Sequence, residues 1–220
     1  MTMKLYGFWR SLASYRVRVA LRFKGIEAEE ISIDLLKGAQ LGANYKAVNP
    51  QCVVPSLIVD GGGPLVQSMA ILEYLEETHP QPPLLPRDAR GRARVRGLAL
   101  IVACDAHPLI VPRIRNYLER EMHLDEPARN RWLQHWTLQA LETLEAHLTK
   151  ERETGRFCHG DTPTMADICL SGQVFAAGYF NVATNGVPTV MRIFDECMKI
   201  DAFDRSQPLK QPGAPKSLSH

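Results

Sequence analysis

Two serines stand where the chain passes from a short apolar segment into a helix. Met3 to Phe8 is short, apolar and aromatic, the pattern of a buried strand. From Ser11 to Phe23, Val17, Ala20 and Leu21 recur at helical spacing, and Gly25 offers a C-terminal stop. Ser11 and Ser14 therefore lie at a strand-to-helix junction. Gln67-Ser68 lies at a second, after the apolar pair Leu65-Val66 and ahead of Ile71, Leu72 and Leu75. A helix N-terminus presents unpaired N–H groups and a partial positive charge, so each junction suits an anion, with a hydroxyl as an added donor. The everyday role of either serine is an N-cap, chemically the same until an anion arrives. Arg10 adjoins Ser11. Its planar guanidinium suits two-point binding of a carboxylate, although a surface position is the commoner fate of an arginine.

Other chemistries find less support. No G-x-S-x-G elbow surrounds Ser11, which argues against a serine hydrolase. His79, His107, His123, His135 and His147 make no close ligand cluster with Asp, Glu or Cys, so no metal site is expected. Five cysteines, an odd number without a C-x-x-C pair, argue against a disulfide framework or a zinc ribbon. A net charge of +2 is too balanced to suggest nucleic acid, with Arg87 to Arg96 the one basic stretch to watch. No apolar run approaches the ~20 residues of a membrane span, and the first ten residues lack the pattern of a secretory signal. A globular cytoplasmic protein is expected.

The elements change character at Thr78 to Asp88, where Pro80, Pro82, Pro83 and Pro86 enforce an extended connector. Before it the order reads β-α-β, a loop, then β-β-α. Glu30 to Asp34 is the second strand, and Pro55 to Val59 with Leu65-Val66 forms a hairpin about Asp60-Gly61-Gly62-Gly63. A parallel pair followed by a hairpin makes a mixed sheet covered by helices. After the connector nothing reads as a strand. One helical stripe runs through Val95, Leu98, Ile101 and Val102, interrupted near Pro108 and Pro112. A second runs from Leu133 to Leu148. Thr164-Met165-Ala166-Asp167 fits a capping box ahead of an apolar run to Phe180, and a last helix spans Pro188 to Ile200.

The run Phe8-Trp9-Arg10-Ser11-Leu12-Ala13-Ser14-Tyr15-Arg16-Val17-Arg18-Val19-Ala20-Leu21 resembles the signature of the zeta-class glutathione transferases. The likeness continues through Asn49-Pro50-Gln51, Val54-Pro55-Ser56-Leu57, Gln67-Ser68 and Gly160-Asp161-Thr162-Pro163-Thr164-Met165-Ala166-Asp167. This class includes the maleylacetoacetate and maleylpyruvate isomerases, which use glutathione to turn a cis double bond trans. The resemblance implies a thioredoxin-like α/β domain with a mixed sheet (1–80), a linker (81–87), an all-α domain (88–206) and a loose tail (207–220). It implies glutathione as cofactor, a small acidic substrate, no nucleic acid or membrane partner, and a homodimer formed through the helical domain and the edge of the first.

By the same resemblance Ser11 holds the thiolate, and Val54 pairs with the tripeptide through a cis-proline turn. Gln67 and Ser68 take its α-carboxylate, and Gln40 and Gln51 lie near its glycine end. Arg10, with His107 and Arg113 from the helical domain, binds substrate. The energetics of Ser11 are reasonable. A free thiol has a pKa near ~8.5, and lowering it by two units requires about 2.7 kcal/mol. A hydroxyl donor to a charged acceptor supplies ~1.5–3 kcal/mol and a helix end ~0.3–1 more.

Two departures matter. Where the family has Ser-Ser-Cys the chain has Ser11-Leu12-Ala13, losing a hydroxyl and a thiol. Tyr179 stands where the family usually shows an arginine that holds a substrate carboxylate. The alternatives are accordingly a zeta-like transferase or dehalogenase acting on α-halo acids, and a non-catalytic partner-binding protein of the same fold.

Overall fold

The computed structural model describes residues 3–59 and 62–216. Strands β1 (Met3–Gly7), β2 (Ala28–Ser32), β3 (Ser56–Ile58) and β4 (Leu65–Val66) form one sheet in the order β2-β1-β3-β4. β1 and β2 are parallel and the remaining pairs antiparallel, the mixed sheet expected. Asp60 and Gly61 of the hairpin turn lie outside the described residues. β2 begins two residues before the expected Glu30, because its ladder with β1 runs from Met3↔Ala28 to Gly7↔Ser32.

Helix α1 (Leu12–Phe23) connects the parallel strands and packs on α3 (Ser68–Thr78). Every residue from Leu12 to Leu21 is buried, Arg16 and Arg18 included. The stretch expected to be a loop holds a 3₁₀ turn (Ala39–Leu41) and helix α2 (Ala43–Val48). Six residues burying only Tyr45 carry no apolar stripe from which a helix could be read.

The described chain divides into two compact units, one up to Pro83 plus the residues from Asp201 onward, the other Leu84–Ile200. The expected helical domain ending at 206 and the loose tail from 207 are therefore corrected. Helix α10 (Asp201–Asp204, counting α4–α9 below) packs on α1, and a 3₁₀ turn follows at Pro208–Lys210. Arg22 of α1 donates to Arg205 O (2.7 Å), Ser206 Oγ (2.9 Å) and Gln211 Oε1 (3.2 Å). Ala214 packs against the cluster of Phe8, Trp9, Tyr45 and Val54. Composition alone suggested disorder, but one buried glutamine and one long arginine hold the segment. Residues 217–220 lie outside the described residues.

The second unit is helical, as expected: α4 (Ala89–Leu100), α5 (His107–Ile110), α6 (Pro112–Arg120), α7 (Glu126–Lys150), α8 (Met165–Tyr179) and α9 (Pro188–Met198). Pro108 does not break the first stripe. A wider π-type winding over Ile101–Ala106 joins α4 to α5, a geometry that accommodates a residue lacking an N–H. The break falls at Val111, whose backbone is extended before Pro112. By length and composition alone Ala89–Arg120 is apolar enough to cross a membrane, contrary to the expectation from apolar runs. It buries Val95, Leu98, Val102 and Ile110 and packs on α7 and α8. Within Arg87 to Arg96, Arg94 turns onto Glu151, Cys158 O and Thr154 Oγ1, while Arg87 and Arg90 are exposed.

The capping box at α8 is complete. Asp167 accepts from Cys158 N (2.7 Å), Thr164 N (2.7 Å) and Thr164 Oγ1 (2.8 Å). Burial pushes its carboxyl above the usual range, against the lowering effect of these bonds. Burial, reinforced by the Asp167 charge, raises the thiols of Cys158 and Cys197 well above theirs, which leaves them protonated and inert.

The anchoring of the C-terminal segment is testable. Arg22→Ala removes three hydrogen bonds, each worth ~0.5–1.5 kcal/mol net, so cleavage by trypsin at Arg205 and Lys210 should become several-fold faster than in the parent protein. Equal cleavage rates would show that the segment is held by something else.

Candidate active site

The register of the sheet places the site. Tyr6 of β1 lies opposite Ser56 of β3, which lies opposite Val66 of β4, and Gly7 lies beside Ser32 of β2. β1 and β4 run out at this edge and β3 runs in from it. The Phe8–Ser11 turn, the Cys52–Pro55 turn and the Gln67–Ser68 turn therefore emerge side by side, and the loop bearing Gln40 leaves β2 at the same edge. Neighbouring strands lie about 4.8 Å apart, so the N-termini of α1 and α3 are separated by about two strand spacings, ~10 Å, with the β3 turn between them.

Ser11 is the N-cap of α1. Its Oγ accepts from Ser14 N at 3.1 Å, which occupies a lone pair and leaves the hydroxyl proton to donate elsewhere. The residue is half-buried, whereas Ser14 is fully buried and its Oγ accepts from Phe8 N at 3.3 Å. Ala13 faces inward beside them, and Arg10 is half-buried on the turn.

The Val54-Pro55 peptide bond is cis, as the resemblance implies. Val54 precedes the ladder, which starts at Ser56. The turn is fixed from behind. Tyr45 Oη (2.7 Å) and Asn49 Nδ2 (2.8 Å) both donate to Val53 O, and Asn49 Oδ1 accepts from Gln51 N (3.0 Å). Burial raises the Tyr45 phenol above its usual range, consistent with its keeping the proton it donates. Sequence reading missed both residues. Asn49 was legible as an Asn before Pro that bonds backbone two to four residues on, whereas Tyr45 sits in the helix that left no pattern.

At the third turn Gln67 has φ 69° and ψ 115°, a strained conformation for a residue with a Cβ, and no side chain caps α3. Its Nε2 donates to Gln51 Oε1 (2.8 Å), which joins two of the expected binding residues. Ser68 Oγ accepts from Arg16 Nε (3.0 Å), so the hydroxyl proton points away from the guanidinium. Arg16, 3% exposed, was not singled out beforehand because its partner lies 52 residues away. Gln40 Oε1 is buried without a hydrogen-bond partner among the described residues.

His107 and Arg113 belong to the second unit, half-buried at the start of α5 and exposed in the first turn of α6. Tyr179 ends α8, half-buried. No group of three or more His, Cys, Asp or Glu that could hold a metal occurs among the described residues.

The first unit thus offers two donor-rich helix starts ~10 Å apart across a turn with open backbone. This fits an extended tripeptide that carries a thiol in its middle and a carboxylate at one end. Comparison with known proteins agrees. Residues 1–77 match the family model of the glutathione S-transferase N-terminal domain. Maleylpyruvate isomerase from Ralstonia is 45% identical over 96% of this chain and 99% of its own length. Maleylacetoacetate isomerase from Pseudomonas aeruginosa is 41% identical over 97% and 99%. The crystal structure of maleylacetoacetate isomerase from Methylobacterium extorquens AM1, with bound malonate and glutathione, superposes with a TM-score of 0.95 at 48% identity, covering 96% of this chain and 99% of that one. With relatives of this identity matched along nearly their whole length, the chain belongs to the maleylacetoacetate and maleylpyruvate isomerase family of zeta-class glutathione transferases.

Proposed function

We propose that the protein is a glutathione-dependent cis–trans isomerase of a maleyl-type dicarboxylate, acting as a cytoplasmic homodimer. The observation that carries this reading is the alignment of three turns at one sheet edge, each presenting a donor suited to one part of glutathione. When bound, glutathione supplies a thiolate that adds to the activated double bond, permits rotation about the resulting single bond, and is expelled again.

The chain's own residues do the rest. Ser11 donates a hydrogen bond from its hydroxyl to the thiolate sulfur, and the N-terminus of α1 adds its partial charge. Together these match the ~2.7 kcal/mol needed to lower a thiol by two units. Val54 offers extended backbone for strand-like pairing. Ser68, oriented by Arg16, and the uncapped start of α3 take the α-carboxylate, with Gln67 beside it. Gln51 and the buried, unpartnered Oε1 of Gln40 serve the glycine end. Arg10, next to Ser11, takes one substrate carboxylate. Arg113, with His107, is the second unit's candidate for the other and replaces the charge that Tyr179 lacks. The free cysteines support a reducing compartment.

Two tests follow. Titration calorimetry should detect glutathione binding at millimolar concentration, and ultraviolet absorbance should show the bound thiol ionised near neutral pH. Ser11→Ala should raise its pKa by about one unit or more, a tenfold fall in the ratio of thiolate to thiol, while Ser14→Ala has the smaller effect. The reverse order would reassign the donor, and no binding at all would favour the partner-binding module.

For the substrate, maleylpyruvate or maleylacetoacetate should turn over with glutathione in catalytic amounts. Arg10→Ala should raise KM for the dicarboxylate with little change in glutathione affinity, because truncating one side of a buried charge pair typically costs ~2–5 kcal/mol. Arg10→Lys should recover only part of the loss. Glutathione binding without turnover of either compound would favour the transferase reading, and restoration of isomerase activity by Tyr179→Arg would then mark a different natural substrate.

A further inference from the structure

The turn carrying Arg10 and Ser11 is gripped by the buried side chains of Ser14 and Arg18. Its first residue, Phe8, has both backbone groups engaged. The N–H donates to Ser14 Oγ (3.3 Å), and the carbonyl accepts from Ser11 N (3.0 Å) and from Arg18 Nη2 (2.8 Å). Arg18 is 2% exposed, and its Nε donates to Glu30 Oε1 on β2 (2.5 Å). A single carbonyl is thus shared between the backbone of Ser11 and a buried guanidinium anchored on the neighbouring strand. Gly7 makes the room: a Cβ there would stand 3.3 Å from both Glu30 Oε1 and Ser14 Oγ.

Only the arginine of this ion pair is buried, since the Glu30 side chain is 28% exposed, and a half-solvated pair is a weak stabilising device. Its strength is direction. The guanidinium is a rigid planar fork, and here one arm is fixed on the carboxylate and the other on Phe8 O. The Phe8 N–H and carbonyl belong to successive peptide groups, so Ser14 fixes the plane before Phe8, while Arg18 fixes the plane after it, on whose carbonyl Ser11 N also rests.

We infer that Arg18 and Glu30, with Ser14, are positioning residues for the reaction. They set the backbone on either side of Phe8 and thereby the place of the Ser11 hydroxyl and of Arg10, without touching glutathione or substrate. This rests on the reading of Ser11 as thiolate donor.

The test uses the full-length protein with Arg18→Met, Arg18→Lys and Glu30→Gln, and Ser11→Ala alongside. Three quantities are read: the pKa of bound glutathione from thiolate absorbance, the split between KM and kcat for the dicarboxylate, and the thermal midpoint of the free protein. Arg18→Met should lower the ratio of bound thiolate to thiol about three- to tenfold, a shift of half a unit to one unit, and raise KM. Glu30→Gln should lie between it and the parent, and Arg18→Lys should recover part of the loss. A merely structural role would lower the midpoint and leave the thiolate pKa and KM at parent values, and that result overturns the inference. If Arg18→Met does not fold, Glu30→Gln decides alone. If Ser11→Ala leaves the bound thiolate unchanged, the Ser11 reading itself fails. If Ser11→Ala is effective while the Arg18 and Glu30 variants are silent, only the relay fails.

Discussion

A helix buried along nearly its whole length can carry basic residues only if each finds an acceptor, and helix α1 carries three, with Lys24 following as its C-cap. Arg16 reaches Ser68 at the start of α3, and Arg18 reaches Glu30 on β2 and the Phe8 carbonyl. Arg22 holds Arg205, Ser206 and Gln211 of the returning C-terminal segment. Lys24, whose ammonium is fully buried, joins Glu76 (2.9 Å) to the carbonyls of His79 and Pro82. Satisfying those charges ties one helix to α3, the sheet, the chain's end and the exit toward the second unit. Two of the four ties, at 16 and 18, end on residues that shape the site.

The same economy governs the active turns. A helix N-terminus left open to an anion forgoes the local cap that would otherwise satisfy its N–H groups. α1 resolves this by letting Ser11 cap through a lone pair while its proton stays available. α3 has no side-chain cap, and its entry is held through the strained Gln67 and its amide contact to Gln51. Through Gln51 the strained turn is joined to the neighbouring Val53 turn, which the Tyr45 and Asn49 bonds hold in place.

The second unit solves its buried polar groups differently, by concentrating them. Asp167 gathers the N–H groups of Thr164 and Cys158 at the foot of the almost wholly buried α8, and Arg94 closes the loop after α7 onto α4. α9 has no cap of its own. Glu145 of α7 supplies one, accepting from Thr189 N (3.1 Å) and Val190 N (2.8 Å).

Whatever was local in the chain was legible in it. The strand-to-helix junctions at Ser11 and Ser68, the Thr164–Asp167 box and the helical second half all follow from spacing and capping chemistry acting over a few residues. The family resemblance added the cis bond at Pro55. What tertiary structure decided involves partners far apart in sequence. The Ser68 hydroxyl is oriented by Arg16, the Phe8 carbonyl is held by an arginine that Glu30 steadies, α9 is capped by Glu145, and Gln207 to Lys216 is drawn onto α1 by Arg22. None of these leaves a periodic trace, because a single long side chain can satisfy a distant buried acceptor from many starting positions, and only the packed chain determines which acceptor lies within its reach.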